Sequence, residues 1–208
     1  MASIKDELEN EICEMWKIFL KTMDYYRCAH YLHNGTTSEE SNFLQHSRPF
    51  QFIAHGLWSL TIIETTKLFS SSTRHRFNVP KFIEKIAAEG YFGRLSFSAD
   101  SIKKWRESID GLQPKINAIT ILRDKVYAHT DSVRPQINEI DLSFGDVQQL
   151  LDIGQAIVKE VYFSILGAEA SMDSPFFAQD ELRFIQILAK EKQGRIEAIL
   201  SEKMKFRS

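Results

Sequence analysis

The chain has 208 residues, of which 43% are hydrophobic and 12% aromatic, and this composition is too apolar for an intrinsically disordered protein. Its 26 Lys and Arg residues nearly balance 28 Asp and Glu residues, which gives a net charge of −2. Its two cysteines, Cys13 and Cys28, would lie about 22 Å apart on one helix, which excludes a disulfide scaffold and favours a reducing compartment.

No stretch reaches the roughly 18 apolar residues of a membrane span, and the acidic start of the chain does not resemble a secretory signal. We therefore expect a cytoplasmic protein with no membrane association.

Apolar residues at three- and four-residue steps predict a long first helix from about Ser3 to His33, which Asn34-Gly35 ends. The polar segment from Thr36 to Ser47 is predicted to be a loop. A second helix is predicted from about Pro49 to Phe69. Its inward residues are expected to be Phe52, Ile53, Leu57, Leu60, Ile63, Thr66 and Leu68.

Asn78-Val79-Pro80 is typical of a helix start, because asparagine can cap a helix and proline is tolerated in its first turn. A short third helix is predicted to run from there to about Glu89. Ser98 or Asp100 is predicted to cap a fourth helix.

Gly111 and Pro114 should break or kink the fourth helix, because proline lacks an N–H donor and clashes with the preceding turn. The helix is predicted to continue from Lys115 to about His129, with an apolar stripe, and a loop should follow from Thr130 to Leu142. A capping hydroxyl and an acidic first turn predict the next helix from Ser143 to Leu166.

The last element is predicted to start near Asp173-Ser-Pro175 and to carry apolar residues at near-heptad spacing. These residues are Leu182, Ile185, Leu188, Ile196 and Ile199. No strand pattern stands out, so the sequence predicts an all-α fold. We expect a helical bundle over residues 1–169 and a C-terminal helical extension over residues 170–208.

The segment from Leu122 to Asp131 places two cations, two acids, a phenol and an imidazole at the end of an apolar helix. Histidine, with a pKa of roughly 6.5, can exchange a proton near neutral pH, and arginine can hold a phosphate with a planar set of donors. His129 and Arg123 could thus cleave RNA without a metal. His129 would assist attack by the ribose 2′-hydroxyl, and Arg123 would stabilise the phosphorane, leaving a 2′,3′-cyclic phosphate.

Helix geometry limits this hypothesis, because on an ideal helix Arg123 and His129 point about 120° apart. Either the helix ends near Ala128 and His129 turns back, or a second subunit completes the site. We favour a two-fold interface that brings both copies of the segment together, as in a homodimer.

An arginine, a polar residue and then a histidine, with five residues between Arg123 and His129, resembles the Arg-x4-6-His motif of the HEPN superfamily. The wider pattern is similar to the AbiU-like branch, named for phage abortive infection, over roughly residues 5 to 168. That pattern consists of Leu122-Arg-Asp-Lys, Ala128-His129, Asp131, and the upstream Leu68-Phe69 and Phe77-Asn78-Val79.

The resemblance implies a HEPN-like helical bundle that forms a homodimer and, in active members, a metal-independent endoribonuclease of a phage-defence or toxin system. RNA and an antitoxin or defence partner are the implied partners. Carried over by position, Arg123 and His129 are catalytic, and Asp124 orients them. Lys125, Tyr127 and Asp131 have supporting roles. Asp131 stands where HEPN toxins paired with nucleotidyltransferases have a tyrosine.

Charge is unevenly distributed around the motif. Residues 70–135 contain 12 Lys and Arg and 7 Asp and Glu, a net charge of +5, whereas the rest of the chain has a net charge of −7. The basic part could contact phosphates, although a solvated helix surface explains the same charges. Lys103-Lys104-x-Arg106 is open to the same two interpretations.

Two other functions stay open. One is a non-catalytic HEPN module that binds RNA, nucleotide or a protein partner. The other is a structural dimerisation module, in which Arg123 forms an ion pair with Asp124 or Asp131 and His129 caps a helix. Cys28-x-His30-x-x-His33 offers zinc-binding atoms but no closed ligand set, so neither a metal nor another cofactor is predicted.

Overall fold

The structure is a computed structural model that describes residues 3–70, 76–124, 140–169, 171 and 183–205. Within these ranges every regular element is helical, which confirms the all-α fold. The elements are α1 (Ile4–Asn34), α2 (Ser38–Gln45), α3 (Arg48–Phe69), α4 (Val79–Ile86), a 3₁₀ turn (Gly93–Leu95), α5 (Ala99–Asp110), α6 (Gln113–Leu122), α7 (Phe144–Leu166) and α8 (Arg183–Lys205). None of the helices in these ranges is both long and apolar enough to cross a membrane.

Contacts divide the chain into two compact units. Unit 1 comprises Met1–Met23 and Ser59–Asp173, and unit 2 comprises Asp24–Trp58 and Ser174–Ser208. We expected a domain boundary between residues 169 and 170, which would place residues 24–58 in the bundle. The contacts instead place residues 24–58 in unit 2, together with the C-terminal residues. That boundary stays a prediction.

The core of unit 1 includes the predicted apolar stripes of α1 and α6, together with apolar side chains of α7. Burial of these stripes removes apolar surface from water and supplies most of the driving force for folding. Fully or almost fully buried residues include Leu8, Ile12, Met15 and Phe19 of α1, Ile116, Ile119 and Leu122 of α6, and Val147, Leu150, Leu151 and Val158 of α7.

Side-chain caps fix three of the predicted helix starts. Asn78 accepts the N–H of the third residue of α4, and Ser98 does the same for α5. Ser143 and Asp146 form a reciprocal capping box at the start of α7, and Gly167 ends that helix in the left-handed conformation. These contacts satisfy backbone groups that a helix end leaves without partners. The third helix ends at Ile86, earlier than predicted.

The prediction of a loop from Thr36 to Ser47 is wrong, because Ser38–Gln45 forms α2. Thr37 accepts the N–H of Glu40, and the Glu40 carboxylate accepts the N–H of Thr36 at 2.8 Å. This reciprocal capping makes a helix favourable in a polar segment that has few apolar residues to signal it.

The predicted inward face of α3 is partly wrong. Three of its members are exposed, namely Phe52, Ile53 and Leu60. Thr66 and Leu68 are buried as predicted, and Thr61 and Thr65, which the prediction left out, are buried as well. The Thr66 hydroxyl donates to the carbonyl of Ile62 at 2.7 Å, so a threonine can lie in the core without losing its hydrogen bond. Hydrophobicity alone therefore misplaced part of the buried face of α3.

Unit 2 has its own apolar cluster of buried residues, formed by Leu32, Leu44, Ala54 and Ile185. Phe43 and Phe50 pack against it. Helix α8 lies against α2, which gives α2 a partner for its apolar side.

Candidate functional site

The predicted motif begins where α6 ends. Helices α5 and α6 follow each other through Gly111, whose backbone is right-handed helical, and Pro114 lies in the first turn of α6. Proline is compatible with that turn because the N–H it lacks would have no partner within the helix. The break predicted at Gly111 and Pro114 is therefore confirmed as a short interruption between two helices.

Two contacts show that α7 runs antiparallel to α5 and α6. Lys115 Nζ lies 2.6 Å from Asp146 Oδ1, and Ser101 Oγ lies 3.1 Å from Glu160 Oε1. The sequence separation between Ser101 and Lys115 equals that between Asp146 and Glu160. The two contacts follow the chain in opposite directions, which is what antiparallel helices require. The end of α6 consequently extends past the start of α7.

Arg123 is held by its neighbour Asp124. Arg123 Nε donates to Asp124 Oδ1 at 2.6 Å, and Nη2 lies 2.5 Å from the same oxygen. The Arg123 side chain is 21% exposed and that of Asp124 is 44% exposed. A guanidinium has five N–H donors. Two of these donors are directed at Asp124 Oδ1, and this contact fixes the orientation of the group.

The buried face of α6 anchors this pair. Ile119 and Leu122 are 1% and 3% exposed, and they fix the last turn of the helix in the core of unit 1. The Arg123 N–H donates back to the carbonyls of Ile119 and Thr120. Arg123 thus belongs to a rigid element, which is the placement that a catalytic or binding group needs.

The backbone at Arg123 and Asp124 is π-helical, a geometry found nowhere else in the described ranges. π-helical turns are rare and occur frequently at functional sites.

The structure brings together two of the predicted site residues, Arg123 and Asp124. The other four lie outside the described residues, and these are Lys125, Tyr127, His129 and Asp131. Asp124 contacts the arginine, as both the catalytic hypothesis and the structural alternative expect, so the role of Asp124 stays a prediction. The role of His129 stays a prediction.

The sequence analysis missed a cleft of about 650 Å³ in unit 1. Glu7 and Glu11 line one side, and Lys85 and Tyr91 line the other. Lys85 Nζ donates to Glu11 at 2.5 Å, and Tyr91 Oη donates to Glu7 at 2.5 Å, which raises the pKa of Tyr91. The spacing of Glu7, Glu11 and Glu14 on one face of α1 was the signal available in the sequence.

The alternative metal site gains no support from the geometry. No group of three or more His, Cys, Asp or Glu side chains in the described part of the chain, Cys28, His30 and His33 included, is arranged to hold a metal ion. Burial raises the pKa of the Cys28 thiol, and this disfavours the thiolate that zinc requires.

A family model described as AbiU2, within the HEPN superfamily, matches residues 3–183 of the chain. The chain belongs to the AbiU2 family. This match confirms the resemblance to the AbiU-like branch. It covers unit 1 from residue 3 onwards and also residues 24–58 of unit 2. Comparisons with curated proteins and with solved structures give no significant match.

Membership in AbiU2 associates the chain with abortive-infection and other defence-related modules. The match includes α6 and the Arg123–Asp124 pair. It stops at Arg183, the first residue of α8, so the last helix lies almost entirely outside the family domain.

Proposed function

We propose that this AbiU2 protein is a metal-independent endoribonuclease that acts as a homodimer in a phage-defence or toxin system. Arg123 and His129 are its catalytic residues. The observation that carries the proposal is the Arg123 guanidinium, fixed by Asp124 at the end of α6, where the HEPN motif begins. A preorganised cation at such a position is suited to stabilising charge that develops on a phosphate.

In the proposed reaction, His129 removes the proton of a ribose 2′-hydroxyl as the oxygen attacks the adjacent phosphorus. Arg123 donates hydrogen bonds to the non-bridging oxygens, where negative charge accumulates in the phosphorane. The bond to the 5′-oxygen of the next nucleotide breaks, and that oxygen takes up a proton. The products are a 2′,3′-cyclic phosphate and a free 5′-hydroxyl.

Asp124 is a positioning residue in this scheme. Its carboxylate binds two nitrogens on one edge of the guanidinium and so directs the opposite edge away from itself. Lys125, Tyr127 and Asp131 complete the motif in supporting roles. Pairing of two chains around a two-fold axis would bring both copies of the motif to a single RNA-binding cleft.

The experiment that tests the proposal is cleavage of a fluorescently labelled RNA by the purified full chain in the presence of EDTA. Wild-type protein should cut the RNA, and His129→Ala and Arg123→Ala should each lower the rate about 100-fold or more, since loss of a general base or of an oxyanion donor has effects of that size. Arg195→Ala, which removes an exposed arginine of α8, is the matched control and should leave the rate unchanged.

Asp124→Asn separates positioning from catalysis. Its amide oxygen can still accept one hydrogen bond, so a partial loss in kcat is expected, with activity falling further in Asp124→Ala. Retained cleavage in His129→Ala would contradict the proposal. RNA binding without products, weakened in Arg123→Ala, would favour the non-catalytic module instead.

A further inference from the structure

The cleft that Glu7 and Lys85 line in unit 1 has no role in the proposed reaction, since neither Arg123 nor Asp124 borders it. Its volume of about 650 Å³ is typical of small-molecule sites. Part of its wall is aromatic and consists of Phe77, Tyr91 and Phe92. Aromatic walls that carry a few charged groups are characteristic of sites that bind small ligands.

Two of the acidic groups on the α1 side of the cleft are neutralised by lysines of the protein itself. Lys85 Nζ lies 2.5 Å from Glu11 Oε1, and Lys17 Nζ lies 2.6 Å from Glu14 Oε1. Because each of these pairs has no net charge, neither selects a ligand by its charge.

Glu7 and Arg76 differ from these pairs. The partner of the Glu7 carboxylate is the neutral hydroxyl of Tyr91, which donates to it at 2.5 Å. The guanidinium carbon of Arg76 lies 5.1 Å from the ring centroid of Phe77, a contact that holds the cation without neutralising it. Within the described ranges neither residue has an ion-pair partner. The cleft therefore presents one negative and one positive charge that a ligand could neutralise.

The order of the contacts places these two charges at opposite ends of the cleft. Tyr91 contacts Glu7, whereas Lys85 contacts Glu11, so the chain from α4 to Tyr91 runs in the opposite direction to α1. Arg76 precedes α4 and hence lies towards the Glu14 end. Seven residues of α-helix separate Glu7 from Glu14, a rise of about 10 Å.

We infer that this cleft binds an extended zwitterion about 10 Å long, of the class of short linear peptides, with its ammonium group on Glu7 and its carboxylate on Arg76. Carboxylates bind ammonium groups, and a guanidinium binds a carboxylate through two parallel hydrogen bonds. A peptide of three residues spans about 10 Å when extended, which matches the separation of the two charges. A ligand of one charge would leave either Glu7 or Arg76 without a counter-charge.

The middle of the cleft suits the body of such a ligand. Phe92 is 2% exposed, and its ring centroid lies 4.9 Å from that of Tyr91, so the two rings form a fixed apolar surface. The inference does not rest on the proposed nuclease, since it concerns other residues and is measured without RNA.

Equilibrium dialysis of the full chain against radiolabelled Ala-Leu-Ala tests the inference. The free tripeptide should bind to wild-type protein. Its N-acetylated form and its C-terminal amide should each bind about tenfold more weakly, because each lacks one charged group that forms hydrogen bonds. Leucine alone carries both charges but spans only about a third of the length, so it should bind no better than the blocked peptides.

Two variants assign the charges. Glu7→Gln should weaken binding of the free tripeptide about tenfold, and N-acetylation should then have no further effect. Arg76→Gln should behave in the same way towards C-terminal amidation. Both residues are exposed, so far-UV circular dichroism should be unchanged in the two variants. The matched controls are Glu9→Gln and Arg106→Gln, which alter charges outside the cleft and should bind the tripeptide as wild type does.

Three results would overturn the inference. The first is that the free tripeptide does not bind at millimolar concentration. The second is that a blocked peptide or leucine binds as tightly as the free tripeptide. The third is that N-acetylation weakens binding to Glu7→Gln as much as binding to wild type. Each of these results would leave the outcome of the RNA cleavage assay unaffected.

Discussion

Replacing Gly154 by alanine should destabilise the protein, although the same change usually stabilises a helix. Gly154 lies in the middle of α7, and a Cβ there would lie 2.6 Å from Cζ of Phe19 and 3.0 Å from Cζ of Phe69. Both rings are buried, with 0% and 3% exposure, so neither can move aside into solvent. The glycine is therefore required by the close approach of α7 to two aromatic rings.

The magnitude follows from two opposing effects. Alanine favours a helix interior by about 1 kcal/mol relative to glycine, whereas overpacking a core costs about 1–3 kcal/mol. Because 2.6 Å is far inside van der Waals contact, we take the upper part of that range and expect a net loss of about 1–2 kcal/mol in the free energy of unfolding. For a chain of this size, the loss corresponds to a decrease in Tm of about 3–6 °C.

Gly56→Ala is the matched control, because Gly56 lies inside α3 and a Cβ there meets nothing within 4 Å. Urea unfolding followed by circular dichroism should show this variant to be slightly more stable than wild type. In a Phe19→Leu background, which removes the opposing ring atoms, Gly154→Ala should cost less than in wild type. A Gly154→Ala variant as stable as Gly56→Ala would refute the packing argument.

Three further predictions concern polar groups. The hydrogen bond from Lys115, followed by those from Ser143, lowers the pKa of Asp146 to about 2. Because this pKa lies below the unfolded value of 3.8, the ionised carboxylate stabilises the fold above about pH 4, and this stabilisation is lost as the pH falls towards 2. Asp146→Asn should therefore flatten that part of the pH dependence of the free energy of unfolding, measured with urea. Trp105 is 4% exposed, and its Nε1–H donates to Glu160 at 2.9 Å. Glu160→Ala removes this acceptor and should lower the free energy of unfolding by about 1–3 kcal/mol. Glu160→Gln keeps an acceptor, so an equal loss in that variant would contradict the explanation. Burial, reinforced by the nearby Glu40 carboxylate, raises the pKa of Tyr31 to about 12, so the difference in absorbance at 295 nm between wild type and Tyr31→Phe should develop only near that pH.

Local signals in the sequence predicted most helices well. Asn78 and Ser143 act through atoms only three residues away, so their capping role can be inferred without knowledge of the tertiary structure. The stripe of Ile116, Ile119 and Leu122 was equally accessible, since a 3.6-residue period determines which side of a helix is apolar.

The failures have physical causes that the sequence does not display. The N-terminal cap of α2 was hidden because Thr37 and Glu40 occur in a segment with few apolar residues. Part of the α3 face was misassigned because polar threonines, Thr61 and Thr65, are buried on it, whereas the apolar Phe52 is 80% exposed.

The sequence predicted the position of the candidate site but not its geometry. The motif predicted that Arg123 and Asp124 belong together. In the structure one carboxylate oxygen of Asp124 contacts two guanidinium nitrogens of Arg123. This contact depends on backbone and rotamer geometry, which residue spacing does not determine.

The most direct test of the central claim is the chemical identity of the RNA ends formed by the purified chain in EDTA. The account predicts fragments that carry 2′,3′-cyclic phosphate and 5′-hydroxyl ends, seen by mass spectrometry with wild-type protein and missing with both His129→Ala and Arg123→Ala. Intact RNA with wild-type protein, or the same fragments with both variants, would contradict it.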